Sequence, residues 1–304
     1  MLDRAVDRLM SLSEGDRGVL DVVAYGGQAV PRLRALLFQR EPSGLFQSRC
    51  RIVEALALLG AYTVLTEFLM ADRNIADPVE RAGEDAVLNA TARALHDVAD
   101  EPVIRRLLLL AETRQLAGPI EVLGALRRID ALPCLIAALA DGVARPAAEE
   151  AIRQFGRAAA TALVAGATER TPQDGSESES SRRRRRATLA LLMEISDPVR
   201  TSRQQRSEWI NDDDPRIAVE GCGMALRSGD LVERQAAIRR LIDMLPTVPW
   251  YVQRDIEERL VEHAADARAL VRDRTSVAPP TEGDYSAEAD AQRRLIRIAH
   301  RLES

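Results

Sequence analysis

Apolar residues recur along this chain three and four positions apart, at helical spacing, rather than at every second position. The clearest case is a pair of stretches, ALALLGAYTVLTEFL at 55–69 and ALRRIDALPCLIAAL at 125–139. Aligned without a gap, they share Ala, Leu, Ala, Leu and Leu, and Ile129 stands opposite Leu59. Because a surface helix buries one apolar stripe at this spacing, the pattern predicts amphipathic helices that repeat along the chain.

Two short motifs alternate around these stretches. The copies of a helix-end motif, A-[LI]-x-x-[apolar], are 39, 31 and 26 residues apart and begin at Ala55, Ala94, Ala125 and Ala151. A second motif, P-x-[LI]-x-x-x-L, begins at Pro31, Pro102 and Pro133, and Thr63 replaces the proline in a fourth copy. Intervals of this length are typical of two-helix repeats. The sequence therefore predicts pairs of amphipathic helices joined by short turns.

Turn residues mark where several helices begin and end. Aspartate stands directly before proline at Asp77, Asp197 and Asp214. An aspartate side chain caps the first amides of a helix, and proline is favoured at the first helical position. Gly60 and Gly156 stand where a helix must stop and reverse, which glycine allows because it adopts a left-handed conformation at little cost.

This alternation resembles the HEAT-repeat family, and its short units are most similar to the HEAT-like repeats of phycobilin lyases. The resemblance extends from about residue 27 to 168 and continues less regularly to about 262. It implies an all-α fold, a right-handed α-solenoid of stacked antiparallel helix pairs whose second helices line a concave face. Stacking also has a physical reason, because one helix pair cannot bury its apolar stripe alone.

Two polar interruptions divide the array. We expect N-terminal repeats at 1–168, a disordered polar insert at 169–181 and less regular repeats at 182–272. A loop at 273–286 then precedes a helix at 287–304, which is predicted to cap the open end of the array.

Composition favours a helical, cytoplasmic protein. Aromatic residues make up 3% of the chain, while Ala and Leu abound and β-branched runs are scarce.

The formal charge of -5 argues against broad attraction to nucleic acid or anionic membrane. The start, MLDRAVDRLMSL, is unlike a signal peptide, and the longest apolar run is too short to cross a bilayer. Widely spaced Cys50, Cys134 and Cys222 indicate reduced thiols, so we expect a cytoplasmic location without membrane insertion.

The basic residues are unusual in kind and in one place clustered. All 42 are arginine, which reflects either a GC-rich genome that favours Arg codons or avoidance of isopeptide modification on lysine. The candidate anion-binding residues follow an acidic, serine-rich tract and are Arg182, Arg183, Arg184, Arg185, Arg186, Arg200, Arg203 and Arg206. Such a patch suits phosphate, RNA or an acidic peptide; the alternative is a solvated surface, since Asp212, Asp213 and Asp214 follow closely.

No pattern in the sequence predicts catalysis, a metal or a cofactor. His96, His263 and His300 are isolated, and no H-x-x-x-H or His-Glu pair occurs. GCGMAL at 221–226 has two of the three glycines of a dinucleotide loop, but it lies in a predicted helix and indicates close helix packing. Two alternatives stay open: a phycobilin-lyase-like or other small-ligand enzyme on the same scaffold, and a nucleic-acid binder that uses the arginine-rich segment. HEAT-type DNA glycosylases use aromatics and a carboxylate in their groove, and Trp209 and Trp250-Tyr251 are the aromatic candidates here. The acidic charge of both halves of the chain, however, lacks the phosphate-neutralising surface that such an enzyme requires.

We therefore predict a non-catalytic adaptor that binds a protein or peptide along the concave face. In the helix-end motif the Ala, Leu and last apolar positions pack inward, so the positions between them and one turn earlier face the groove. These protein-binding candidates are Arg51, Glu54, Arg93, His96, Glu121, Arg128, Glu150 and Arg153. Their mixed charge suits a polar protein surface better than a small apolar ligand.

Overall fold

The structure is a computed structural model that describes residues 1–195, 201–276, 284 and 286–303. The chain divides into two compact units, unit 1 at Met1–Phe155 and unit 2 at Gly156–Ser304. This division precedes residue 168, where the sequence predicts the end of the first repeats. Asp197, Pro198 and Arg200 lie outside the described residues, as does most of the predicted loop at 273–286.

Unit 1 is built from helices and short 3-10 turns. Its α-helices are α1 Leu2–Met10, α2 Gly15–Val23, α3 Val30–Leu37, α4 Gln47–Leu58, α5 Tyr62–Met70, α6 Pro78–Ala94, α7 Glu101–Arg114, α8 Ala117–Ala125, α9 Leu132–Ala138 and α10 Arg145–Phe155. Turns of 3-10 helix stand at Gly26–Ala29, His96–Val98 and Ile129–Ala131.

The two sequence motifs of unit 1 lie on alternating helices, as predicted. The helix-end motif begins within or at the last residue of α4, α6, α8 and α10, and the proline motif begins in α3, α5, α7 and α9. Helices of the first set pack on one another in chain order, α4 on α6, α6 on α8 and α8 on α10, and α2 packs on α4 before them. In the second set α5 packs on α7 and α7 on α9. Leu65 and Leu135, the matching residues of the two opening stretches, are both fully buried.

Unit 2 contains further helices and one short hairpin. A 3-10 turn at Gly156–Ala159 precedes α11 Ala160–Thr168, β1 Pro172–Gln173, β2 Ser176–Glu177, α12 Glu179–Ile195, α13 Arg203–Ile210, α14 Pro215–Leu226, α15 Leu231–Met244, α16 Trp250–Glu262, α17 Ala264–Thr275 and α18 Ala287–Glu303. The core is apolar and includes Ile238, Leu241, Ile256, Leu260 and Ile298. α14 packs on α12, α13, α15 and α16, and α18 packs on α16 and α17. The predicted all-helical class is thus confirmed for the described residues, where these two strands form the single sheet.

Local chemistry sets the ends of several helices as the sequence predicts. Asp77 accepts from the amides of Val79 and Glu80 at the start of α6, and Asp214 does the same for the first amides of α14. Gly60 and Gly156 have positive φ angles of 67° and 52°. These caps and reversals are confirmed.

Residues 170–178 contain regular structure where the sequence predicts a disordered insert. β1 and β2 pair antiparallel, with Pro172 opposite Glu177 and Gln173 opposite Ser176. Asp174 and Gly175, at the turn between them, both have positive φ angles, 50° and 81°. Two successive residues of this kind are typical of a type I′ hairpin turn, for which Asp-Gly is a preferred pair. The amide of Ser178 also donates to the carbonyl of Thr171 at 3.0 Å.

Candidate functional site

A cleft of about 880 Å³ in unit 2 brings together charged residues from several elements. We call it the hairpin cleft, because the hairpin forms one wall. The other walls come from the first turns of α12, the connection between α13 and α14, and the first turn of α16. Its lining residues are Arg170, Pro172, Gly175, Ser176, Glu177, Arg182, Arg186, Asp212, Asp213, Asp214, Pro215 and Tyr251.

A buried ion-pair network anchors the hairpin cleft. Arg185 of α12 is 1% exposed, and its Nε donates to the carbonyl of Ala167, at the end of α11, at 2.8 Å. Its Nη1 donates to Glu177 of β2 at 2.8 Å, and its Nη2 pairs with Asp212. A buried charge is tolerated when it is both paired and hydrogen bonded. Arg185 therefore ties α11, the hairpin and the connection before α14 together.

Other charges of the cleft are also paired across elements. Arg170 Nη2 lies 2.7 Å from Asp212, and Arg186 Nε donates to Asp214 at 3.0 Å. Burial raises the pKa of Asp214, but hydrogen bonds and attraction from Arg186, with the first amides of α14, leave it below its usual value. Asp214 is thus an ionised helix cap held in place by Arg186.

Two charged side chains and two aromatic rings at the cleft take no part in these ion pairs. The side chains of Arg182 and Asp213 make no ion pair or hydrogen bond with any other described residue, although both line the cleft. Tyr251 also lines the cleft, and the guanidinium carbon of Arg216 lies over its ring, 4.7 Å from the ring centroid. Trp250 contacts Tyr251 edge to face, with ring centroids 5.9 Å apart, and is 70% exposed. Trp209, by contrast, is buried.

The candidate anion-binding arginines do not form one exposed patch. Of the consecutive five, Arg182 alone lines the cleft without a partner, while Arg183 is 3.7 Å from Glu179 and Arg184 donates to the carbonyl of Glu169. Arg185 and Arg186 are paired as described above. The run is neutralised partly by Glu177 and Glu179, which lie just before it in the sequence, and partly by Asp212 and Asp214, which tertiary structure brings close from far along the chain.

Three further candidate anion-binding arginines follow the consecutive five in the sequence. Arg206 is buried, and its Nε and Nη2 donate to Glu233 of α15 at 2.9 and 3.0 Å. Arg203 is exposed, 3.8 Å from Asp230. Arg200 lies outside the described residues. Arg206 is therefore part of the interior of unit 2 and not of a surface for an external anion.

The predicted protein-binding residues lie on or just after α4, α6, α8 and α10 of unit 1, but most are already paired. Arg51 of α4 donates to Asp16 of α2 at 2.8 Å, and Arg93 of α6 donates to Glu121 of α8 at 2.9 Å. The hydrogen bond from Arg93 to Glu121 and the attraction between their charges raise the pKa of that guanidinium, although burial opposes the shift. We call these pairs, together with those of Arg128 and Arg153, the charge ladder.

Of the remaining protein-binding candidates, all but Glu54 are paired with a residue close to them in the sequence. Arg128, which lies beyond the end of α8, donates to Asp130 at 2.9 Å and to Glu101 at 3.2 Å. His96 is 2.8 Å from Asp97. Arg153 is 3.7 Å from Glu150 on the same helix. Glu54 is exposed and makes no ion pair or hydrogen bond in the described part of the chain.

The thiols are poorly suited to nucleophilic chemistry. Burial raises the pKa of Cys134 to about 11 and that of Cys222 to about 12, and it raises that of Cys50 as well. A thiol attacks as its thiolate, so all three are weak nucleophiles at neutral pH. Within the described ranges no group of three or more His, Cys, Asp or Glu side chains is arranged to hold a metal ion.

Sequence reasoning missed the hairpin cleft because its walls are distant in the sequence. Arg170, Glu177 and Asp212 carry no motif, and Tyr251 stands out only by residue type. One signal was present: Asp174-Gly175 is the dipeptide that a tight hairpin favours.

Among the helices described here, none combines the length and the apolar character needed to cross a bilayer. Comparison of the chain with protein families finds no matching family, and comparison with curated proteins finds no relative.

Proposed function

We propose that this chain is a non-catalytic adaptor of the HEAT-like type, a right-handed α-solenoid that binds a segment of another protein. Two alternating sets of helices support the repeat architecture in unit 1, since α4, α6, α8 and α10 pack on one another in order, as do α5, α7 and α9. The proposed recognition surface is the hairpin cleft with Trp250 beside it. The proposal rests on the exposure of Trp250, whose ring packs edge to face against Tyr251 of the cleft.

Trp250 and Tyr251 have the chemistry of an interface anchor. A tryptophan that is 70% exposed leaves much of a large apolar ring in water, and a partner that covers this ring gains from removing it from water. Tryptophan, tyrosine and arginine are the residue types most often responsible for binding energy at interfaces. All three are present here, with Arg182 as the arginine that no carboxylate of the described chain neutralises.

The charges of the cleft favour a protein segment over a nucleic acid. The lining holds four carboxylates and three arginines, and two of those arginines are engaged by Asp212 and Asp214. A phosphate backbone would meet Asp213 without a compensating cation, whereas a peptide with side chains of both signs can pair with Arg182 and with Asp213.

The charge ladder is a weaker candidate for recognition. Its members are satisfied within the chain, so a partner must first break pairs such as Arg93 with Glu121. Exposed pairs of this kind contribute only about 0 to 1 kcal/mol, so breaking them is possible but brings little selectivity. We therefore assign recognition to the cleft and treat the ladder as the comparison surface.

Site-specific photocrosslinking tests the assignment. A benzophenone amino acid at Trp250 should capture a protein partner in the native host, whereas the same probe at Leu231, an exposed apolar residue of the same unit, should not. With the purified partner, Trp250→Ala should weaken binding about tenfold or more, which corresponds to about 1.4 kcal/mol. The combined reversal Arg93→Glu, Arg128→Glu and Arg153→Glu should leave the affinity unchanged. If the reversal abolishes binding while Trp250→Ala has no effect, recognition lies on the ladder and the cleft assignment is wrong.

A further inference from the structure

A second cavity, in unit 1, is unusually rich in arginine. It has a volume of about 290 Å³ and is lined by the connection after α5 together with α6 and α7. Its charged lining consists of Arg73, Arg106, Arg114 and a single carboxylate, Asp72. We call it the arginine pocket. The chain as a whole carries a net negative charge, so these three arginines are a local concentration of positive charge.

Arg73 makes several contacts but leaves one guanidinium nitrogen without an acceptor. Its guanidinium carbon lies 3.7 Å from the centroid of the Phe68 ring, and its Nη1 donates to the carbonyl of Phe68 at 2.9 Å. Its Nε lies 3.0 Å from Glu84. Its Nη2 is buried and has no hydrogen-bond partner. A buried cationic donor without an acceptor costs free energy that a bound acceptor would recover.

The ion-pair network around the pocket contains one more arginine than carboxylates, because Arg49, which does not itself line the pocket, shares Glu84 with Arg73. Four guanidinium groups share three carboxylates in pairs that are Arg49 with Glu84, Arg73 with Glu84, Arg106 with Asp72 and Arg114 with Asp85. Burial lowers the pKa of the Arg73 guanidinium, and the positive charges of Arg49, Arg106 and Arg114 lower it further against the attraction of Glu84. A positive potential therefore remains at the cavity.

Asp72 is the replaceable member of this group. Its carboxylate is 3.2 Å from Arg106 Nη1, yet its side chain is 94% exposed and belongs to the connection after α5. Arg106 is independently fixed, since its Nε donates to the carbonyl of Leu69 at 3.0 Å. The carbonyls at the end of α5 are thus already hydrogen bonded by Arg73 and Arg106, so they do not repel an incoming anion strongly.

We propose that the arginine pocket is a binding site for a phosphate-type oxyanion, held by Arg73, Arg106 and Arg114. The oxyanion displaces Asp72 from Arg106 and is attracted by the charge of Arg73, whose Nη2 has no acceptor within the described chain. Planar guanidinium groups match the oxygens of a phosphoryl group, and a cavity of this size accepts an inorganic ion or a small ester rather than a large organic ligand. This site is independent of the hairpin cleft and of any protein partner.

Isothermal titration of the full chain with inorganic phosphate and with monomethyl phosphate, at constant ionic strength, tests the proposal. Arg106→Gln should weaken binding about tenfold or more, because it removes a charge that contacts the ligand. Arg105→Gln is the matched control, since Arg105 stands on the same helix, is exposed and has no ion pair in the described chain. It should bind phosphate as the unaltered protein does.

Asp72→Asn gives an effect of the opposite sign. Removal of the competing carboxylate should tighten phosphate binding several-fold, and it disturbs no buried group, so it remains informative even if Arg106→Gln unfolds the protein. Tighter binding of the ester than of inorganic phosphate would identify a small phosphorylated compound as the ligand, and equal binding would identify phosphate itself; both support the site. Absence of binding at millimolar ligand, equal weakening by Arg105→Gln, or an Asp72→Asn variant that binds no more tightly would overturn the proposal.

Discussion

At the scale of single residues, the five-arginine run shows how partners far along the chain decide what a charge does. The sequence alone leaves two interpretations of the run, a solvated surface and an anion site, and favours the first because runs of like charge are usually solvated. In the folded chain its members have different environments: Arg182 is unpaired at the hairpin cleft, whereas Arg185 is 1% exposed between Glu177 and Asp212. Burial makes Arg185 depend on its carboxylates, since an uncompensated buried charge is strongly destabilising.

Asp212 and Asp213 offer a test with neighbouring residues of the same type. Asp212→Ala removes the carboxylate that Arg185 and Arg170 share, and it should lower the free energy of unfolding by about 3 to 5 kcal/mol. Asp213→Ala removes an exposed carboxylate without a partner and should change it by less than about 0.5 kcal/mol. Urea unfolding followed by circular dichroism measures both. Equal losses would show that Asp212 does not compensate the Arg185 charge.

At the scale of elements, the hairpin of unit 2 is small but connected to its surroundings. Two residue pairs form its ladder, which is too few to be stable alone. Glu177 accepts from Arg185, and the amide of Thr171 donates to Ser181 Oγ at 3.1 Å, so the hairpin is held by α12. Its shape depends on Asp174 and Gly175, whose positive φ angles set the turn.

Gly175→Ala should loosen the hairpin without unfolding unit 2. A side chain at φ 81° costs roughly 1 to 2 kcal/mol, and this strain falls on an element held by few contacts. Hydrogen exchange at the Ser178 amide, which is bonded to Thr171, should therefore become faster. Gly229→Ala is the control, because that glycine lacks a left-handed φ and has open space around it. An unchanged exchange rate in Gly175→Ala would mean that the turn geometry does not maintain the hairpin.

At the scale of the whole molecule, the helices of unit 1 pack mainly on their neighbours in the chain. In such an array stability is close to a sum of local terms, so damage should remain local. Leu65 in α5 and Leu135 in α9 occupy matching positions and are both fully buried. They allow the same substitution to be compared at two places in one unit.

Leu65→Ala and Leu135→Ala should each cost about 2 to 5 kcal/mol through lost burial and the cavity left behind. Hydrogen exchange followed by mass spectrometry should rise in α4 to α7 for Leu65→Ala and in α7 to α10 for Leu135→Ala. Helices α1 and α2 should be unaffected by Leu135→Ala. A uniform rise from α1 to α10 in both variants would instead show that unit 1 unfolds as a single cooperative core.

The helical class, the alternation of two helix types and several helix ends could be predicted from the sequence. These features depend on local causes: apolar spacing, Asp-Pro caps and glycines at reversals act over a few residues. Leu65 and Leu135 could be matched for the same reason, since one buried stripe repeats in both stretches. The HEAT-like solenoid remains a proposal, because it concerns how helix pairs stack over long distances.

The candidate site could be predicted only in residue type. Arg182 and Trp250 were visible as a charge run and an aromatic pair, but their surroundings were not. Arg185 is buried and neutralised within the fold, and arginines gather at the arginine pocket, because the fold brings together residues more than twenty positions apart. Examples are the ion pairs of Arg185 with Asp212 and of Arg49 with Glu84. Electrostatic pairing and burial depend on distance in space, whereas helix formation depends on distance along the chain. The sequence alone therefore determined the helices of this protein, and the tertiary structure decided which of its charges are neutralised and which remain available to a ligand.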